Sequence, residues 1–116
     1  MKKRCCNIKN IHVKLFLENE LILSSDYKAT YEENNYLEYN DGNTVTHIDF
    51  VNNIISRKND EFIFEVNINN KLINYTLIKE KLTFEQIDKN CSIEIKNNII
   101  IKYELDGKRK IIIEFK

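Results

Sequence analysis

Apolar and polar residues alternate along most of this chain, in short runs that end at pairs of asparagine, aspartate or glycine. Strict alternation is the period of a β-strand with one buried face and one solvated face. Asn, Asp and Gly tolerate the left-handed backbone of tight hairpin turns. The pattern therefore predicts an antiparallel, up-and-down meander of eight to ten short strands. The predicted turns are Asn34-Asn35, Asp41-Gly42, Asn52-Asn53, Asn59-Asp60, Asn69-Asn70, Asn97-Asn98 and Asp106-Gly107.

The alternation also predicts which side chains share the buried face. β-branched and aromatic residues, which strands favour, fill these positions, with residues such as His12, Lys14 and Glu65 on the opposite face. The predicted inward sets are Ile11, Val13, Leu15 and Leu17; Leu21, Leu23, Tyr27, Ala29 and Tyr31; Thr44, Thr46, Ile48 and Phe50; Phe62, Phe64, Val66 and Ile68; Cys91, Ile93 and Ile95; Ile99, Ile101, Tyr103 and Leu105; and Ile111, Ile113 and Phe115.

The stretch from residue 77 to residue 90 allows two interpretations. Thr83 with Gln86 three residues later forms a possible capping box, which would begin a short helix. In a strand, Leu82 and Phe84 would instead share one face and continue the meander. We favour the strand.

A flat sheet of this many strands would leave two exposed edges, and an up-and-down meander usually avoids them by closing into a barrel. We therefore expect an all-β, calycin-like (lipocalin-type) barrel, with a β-sandwich as the alternative, since the same alternation serves both. The 116 residues are enough for one domain over residues 1–116, with residues 1–6 a frayed N-terminus.

Charge and apolar content exclude several classes of partner. The 18 Lys and Arg balance the 18 Asp and Glu, so the long-range attraction that phosphate-backbone binding needs is missing, and we expect no nucleic acid. Apolar runs such as 99–101 are far shorter than the roughly 20 residues of a membrane helix. The basic start is followed by Asn7, Lys9 and Asn10 rather than an apolar signal segment, which predicts no membrane association and a cytoplasmic location.

The cysteines and glycines exclude further kinds of site. Cys5 and Cys6 are adjacent and the total of three is odd, which predicts reduced thiols and no metal clip. Cys91 alternates with isoleucines and is expected to be a small buried hydrophobe. Since the only glycines are Gly42 and Gly107, each in a predicted hairpin, no glycine-rich nucleotide cradle is possible and we expect no cofactor.

Two histidines limit the catalytic possibilities. His47 and Asp49 share a strand face and would give an oriented imidazole only if that face were enclosed. Both alternate with the apolar Ile48 and Phe50, and His12 likewise shares a face with Lys14, so all three are expected to face solvent. The sequence therefore predicts no catalytic residues and a protein that is not an enzyme.

The order of several segments is similar to that of the YwiB-like family, small bacterial cytoplasmic proteins of uncharacterised function. The segments that carry the resemblance are 35–39 (NYLEY), 44–49 (TVTHID), the lone basic position Arg57, 92–105 (SIEIKNNIIIKYEL) and 110–115 (KIIIEF). The resemblance implies a calycin-like β-barrel and supplies no catalytic signature.

An eight-stranded barrel is just wide enough to be filled by side chains or to hold one small ligand. Arg57 shares a face with Ile55, and an inward guanidinium needs an acid or an anion, whereas a surface Arg57 would lie near Asp60 and Glu61. The polar contacts of a pocket are predicted to come from Arg57, Tyr36, Tyr75 and Tyr103.

Two functions remain. The first is a non-catalytic module that binds a small, partly apolar or anionic ligand. The alternative is a structural or protein-interaction domain with a filled barrel, acting through a sheet edge, and a homo-oligomer is possible in either case. A cavity above about 300 Å³ with a convergent arginine would favour the first.

Overall fold

The computed structural model describes residues 7–105 and 108–116. The predictions for residues 1–6, with Cys5 and Cys6, and for the Asp106-Gly107 turn lie outside the described residues. Eleven strands follow one another in the described part of the chain. They are β1 (Asn7–Leu17), β2 (Glu20–Glu32), β3 (Tyr36–Asp41), β4 (Thr44–Asp49), β5 (Ile54–Lys58), β6 (Phe62–Asn67), β7 (Leu72–Leu77), β8 (Leu82–Ile87), β9 (Ser92–Ile95), β10 (Asn98–Glu104) and β11 (Lys108–Phe115).

All strands belong to one antiparallel sheet with the order β8-β7-β6-β5-β4-β3-β2-β1-β11-β10-β9. The first strand pairs with the last, for example Val13 with Ile113, so β1 and β11 lie side by side in the interior of the sheet. The sheet edges are the consecutive strands β8 and β9, which no ladder joins in the described part of the chain. The connection at residues 88–91 therefore leads from one edge of the sheet to the other.

The sheet is strongly curled. Phe64 on β6 and Tyr103 on β10 are seven strand positions apart, which in a flat sheet would separate them by roughly 34 Å at about 4.8 Å per strand. Their ring centroids are 5.2 Å apart. The strands therefore form a half-barrel whose concave face packs against itself. This confirms the predicted all-β, barrel-like meander, with eleven strands in place of eight to ten and one sheet in place of a sandwich's two.

The core lies on the concave face. Ile48, Ile55, Val66 and Ile73 occupy successive strands in register and are fully buried. Across the curl, Ile99, Ile101 and Ile113 are fully buried as well. Five of these residues belong to the predicted inward sets, whereas Ile55 and Ile73 lie outside them; Cys91 is also buried as predicted.

Two predicted inward residues are exposed. Leu21 is 49% exposed and Ile95 is 50% exposed. Leu21 lies beside an irregularity at Leu15/Phe16 in the β1–β2 pairing, and Ile95 ends the edge strand β9, so neither position is covered by a second layer.

Most turns lie where the Asn and Asp pairs predicted them, and two lie elsewhere. Glu18 and Asn19 form the β1–β2 turn with φ of 51° and 70°, and residues 78–81 form the β7–β8 turn, which ends in Lys81 at φ 54°. The stretch from residue 77 to residue 90 contains strand β8, as favoured above, and no helix. No helix in the described residues is long and apolar enough to cross a bilayer.

Candidate functional site

A cavity of about 210 Å³ opens at one end of the concave face. The alternation turns two side chains of β6 toward it and one each from β5, β7, β10 and β11, because residues two apart share a face. At about 210 Å³ the cavity does not reach the volume of about 300 Å³ given above as favouring ligand binding, although it does contain a convergent arginine, so only a small molecule fits. We refer to it as the arginine cavity, and its lining residues are Arg57, Phe62, Phe64, Tyr75, Tyr103, Leu105 and Arg109.

Arg57 points into the half-barrel. Its Nε donates to the hydroxyl of the buried Thr46 at 3.2 Å, and its guanidinium lies 3.4 Å from a carboxylate oxygen of Asp41. The other oxygen of Asp41 accepts a hydrogen bond from Tyr27 at 2.9 Å. The predicted acid partner of an inward Arg57 is therefore Asp41, and the surface placement beside Asp60 and Glu61 does not occur.

Aromatic rings form one wall of the arginine cavity. Phe64 contacts Tyr103 at 5.2 Å between centroids and Tyr75 at 6.2 Å, and Tyr75 also contacts Phe62 at 5.9 Å. Phe84, on the edge strand, stacks on Tyr75 at 6.4 Å. The row extends the wall toward the open side of the curl and supplies flat apolar surface beside the two guanidinium groups.

The cavity has a positive electrostatic character. Its lining includes two arginines and no acid. Tyr103 is 4% exposed, and burial raises the pKa of its hydroxyl, while Arg57 and Arg109 both act to lower that pKa. Both guanidinium groups therefore act on the same buried position, where they offset part of the effect of burial, which still favours the neutral hydroxyl.

The structure brings together three of the four predicted ligand-binding residues. Arg57, Tyr75 and Tyr103 line the arginine cavity. Tyr36 does not, since it is stacked on His47 at 5.3 Å on the convex face of the sheet. The buried neighbours Leu37 and Tyr39 hold the inward positions of β3, so Tyr36, one residue before Leu37, faces outward.

Sequence reasoning missed Arg109, Phe62 and Phe64 as lining residues. Arg109 is not among the predicted pocket residues, although it shares its period-two face with the buried Ile111 and Ile113, and that parity was the available signal. Phe62 and Phe64 were predicted to be inward but only as core. Asp41 was seen only as part of a turn pair.

A second cavity of about 310 Å³ adjoins the first through the shared residues Tyr103 and Arg109. Its lining mixes the cations Lys102, Lys108 and Lys110 with Asp88 and Glu104. It has more charged lining residues than the arginine cavity and shares the side chain of Arg109 with it.

The histidines lie on the convex face. His47 Nδ1 is 2.9 Å from Glu38, which is its side-chain partner. Asp49 instead accepts the backbone N–H groups of Val51 and Asn52 in the following turn. An oriented imidazole at His47 with Asp49 was expected only on an enclosed face, and the two residues lie on the outward face of β4 with separate partners.

His12 takes part in an arrangement that the sequence did not reveal. Its Nδ1 lies 2.5 Å from Asp26 and its Nε2 lies 2.8 Å from the hydroxyl of Ser24, while Lys116 binds the other oxygen of Asp26 at 2.9 Å. Ser24, His12 and Asp26 are therefore connected in the same order as the nucleophile, base and acid of a serine hydrolase triad. None of the three residues lines either of the two cavities described above, and the Asp26 side chain is 59% exposed.

This polar group makes a testable contribution to stability at low pH. Hydrogen bonds from Lys116 and then His12 lower the pKa of Asp26 below its ordinary value of 3.8. A depressed carboxyl pKa stabilises the fold above the unfolded-state pKa, and that stability is lost as the pH falls through the folded-state pKa. Between about pH 5 and pH 3, urea unfolding of the wild type should therefore lose more stability than that of Asp26→Asn. Equal pH slopes in the two proteins would contradict the assignment.

No group of three His, Cys, Asp or Glu side chains placed to hold a metal ion occurs among residues 7–105 and 108–116.

No family model, curated protein or solved structure matches the chain.

Proposed function

We propose that the protein is a non-catalytic binding module that takes a small, partly apolar carboxylate or similar anion in the arginine cavity. The observation that carries the proposal is the pairing of two guanidinium groups with an aromatic wall and no lining acid. An arginine binds a carboxylate through two parallel hydrogen bonds, and the rings beside it offer stacking surface for an apolar body.

The size of the cavity limits the ligand. At about 30 Å³ per water molecule, 210 Å³ holds roughly seven waters, which corresponds to a single-ring or short-chain acid. Asp41 already engages Arg57 at 3.4 Å, a long contact for an ion pair, so an anion of better geometry would compete for the same guanidinium. The mechanism we infer is partner exchange at Arg57, with Tyr27 retaining Asp41 through its hydroxyl.

Membership of the YwiB-like family and a cytoplasmic location are part of the same proposal. They are supported by the segment order given above and by the barrel-like meander. The alternative, a protein-interaction domain, is supported by the exposed apolar residues of the edge strand β8.

Thermal unfolding in the presence of matched acids and amides tests the proposal. Single-ring carboxylates such as benzoate and phenylacetate should raise Tm, and their neutral amides should not, because only the acids satisfy the arginines. A ligand at about 100 times its Kd stabilises the native state by about 2.7 kcal/mol. That corresponds to a Tm increase of roughly 10 °C in a domain of this size.

Two variants make the test specific. Arg57→Met removes the guanidinium and should abolish the acid-dependent increase in Tm, whatever its own effect on the ligand-free Tm. Lys28→Met removes a cation from an exposed position of β2 and should leave the increase unchanged. An acid effect that persists in Arg57→Met, or equal effects of acids and amides, would reject the arginine cavity as the site.

A further inference from the structure

The edge strand β8 offers an unpaired backbone beside apolar side chains. Five of its six residues are exposed, including Leu82 and Phe84 at 49% and 48%. Ile87, at its end, is 62% exposed. Natural sheets usually protect such an edge with a bulge or a proline. Strand β8 pairs with β7 in unbroken register, and the whole chain has no proline.

The hydrogen bond just beyond the C-terminal end of β8 shows which residues of this strand bond to β7 and which face outward. The N–H of Asp88 donates to the carbonyl of Lys71 at 2.8 Å, which continues the β7–β8 ladder. In an antiparallel ladder, alternate residues bond to the same neighbour. Phe84 and Gln86 therefore bond to β7, whereas Thr83 and Glu85 direct their N–H and C=O groups outward, away from the sheet.

From this edge we propose that two copies of the protein associate through antiparallel pairing of their β8 strands, with Thr83 on the two-fold axis. The inference goes beyond the proposed ligand binding and does not depend on it. In this register Leu82 of each copy lies opposite Phe84 of the other. Lys81, the turn residue directly before β8, comes next to Glu85 of the other copy at each end of the pairing. The pairing therefore holds two Lys81–Glu85 ion pairs and two Leu82–Phe84 contacts.

The neighbouring registers lack this complementarity. With Glu85 on the axis, two carboxylates would face each other directly, which destabilises a pair. With Phe84 on the axis, Lys81 would lie opposite the apolar Ile87 and Thr83 opposite Glu85, so no ion pair would form. The Thr83 register also places the two threonine hydroxyls together, a favourable cross-strand pair.

The pairing would extend the aromatic wall. Leu82 and Phe84 lie on the concave face, since their β7 partners are Leu77 and Tyr75, and Tyr75 lines the arginine cavity. In the dimer, Leu82 of the second copy would lie beside Phe84 and cover apolar surface that is exposed in the monomer. The two half-barrels would then share one continuous sheet of 22 strands.

Sedimentation velocity over a concentration series tests the proposal, from about 1 μM to about 1 mM. The wild type should approach twice the 13.9 kDa chain mass as concentration rises. Thr83→Pro removes the N–H on the axis but no β7–β8 hydrogen bond, so it should weaken association at least about tenfold while the fold persists. Thr83→Val retains that N–H and should still associate.

Charge reversal provides an internal check against misfolding. Lys81→Glu alone or Glu85→Lys alone places like charges opposite each other twice and should weaken self-association about tenfold. An equimolar mixture of these two variants restores both ion pairs between unlike chains, so it should form heterodimers. Circular dichroism checks that each variant keeps its strand content.

Two results would overturn the proposal. If the wild type stays monomeric at every concentration, β8 does not pair with a second copy, and its edge would be free to pair with an extended segment of a different protein. A dimer that is indifferent to Thr83→Pro and to both charge reversals would place the contact between copies elsewhere on the molecule.

Discussion

Ile55→Ala should lower the free energy of unfolding by about 3 to 4 kcal/mol, because it opens a cavity among fully buried side chains of the core. Ile55 lies between Ile48 and Val66 in register, and all three are fully buried. The neighbouring strands are held by backbone ladders on both sides and cannot collapse into the space. Urea unfolding followed by circular dichroism measures the loss.

The matched control is Ile63→Ala on the opposite face of β6. Ile63 is 44% exposed, so its truncation removes surface that water already contacts and should cost less than about 1 kcal/mol. A similar loss in the two variants would mean that the concave face is not the core.

Asp88→Ala should cost about 3 kcal/mol, because one buried carboxylate secures the connection between the two sheet edges. Asp88 is 4% exposed, and its oxygens accept the backbone N–H of Asn90 at 2.9 Å and of Glu104 at 2.5 Å. Removing the acceptor leaves two part-buried N–H donors without this hydrogen bond, at about 1 to 3 kcal/mol each where water cannot replace it. Since Glu104 ends β10 while Asp88 follows β8, the loss also loosens the curl.

Asp49→Ala is the control for this variant. Asp49 also accepts two backbone N–H groups, from Val51 and Asn52, but those bonds face solvent. Water replaces the lost acceptor, so this substitution should cost only about 1 kcal/mol. Equal Tm losses in Asp88→Ala and Asp49→Ala would show that the connection at residues 88–91 does not hold the edges together.

Local periodicity was enough to predict the strands and their buried faces. Ile11, Val13, Ile99 and Ile101 were placed correctly because a strand fixes the direction of every second side chain. The turn at Glu18-Asn19 was missed because only one of its two residues is typical of a left-handed turn, although both have positive φ.

Long-range pairing was not available from the alternation. The sequence predicted a meander, but the pairing of β1 with β11, and the unpaired edges at β8 and β9, depend on contacts between residues far apart in the chain. The role of Asp88 follows from that topology, since its partner Glu104 is 16 residues away. The period-two pattern shows which side chains share one face of a strand, but it does not show which other strand will pair with it.

The candidate site was predicted in part for the same reason. Arg57, Tyr75 and Tyr103 meet in one cavity because each lies on the inward parity of its strand. Tyr36 was assigned to the site on its residue type although its parity is outward, and Arg109 was left out although its parity is inward. Period-two alternation, applied to every polar residue, would have removed Tyr36 from the predicted site and added Arg109 to it.

Nuclear magnetic resonance of the arginine side chains tests the binding site most directly. In a titration with benzoate, the Nε–Hε signals of Arg57 and Arg109 should shift together with the ring signals of Tyr103, and signals from convex-face residues such as Lys28 should stay in place. Shifts confined to the convex face, or none at millimolar benzoate, would contradict the account of an anion-binding half-barrel.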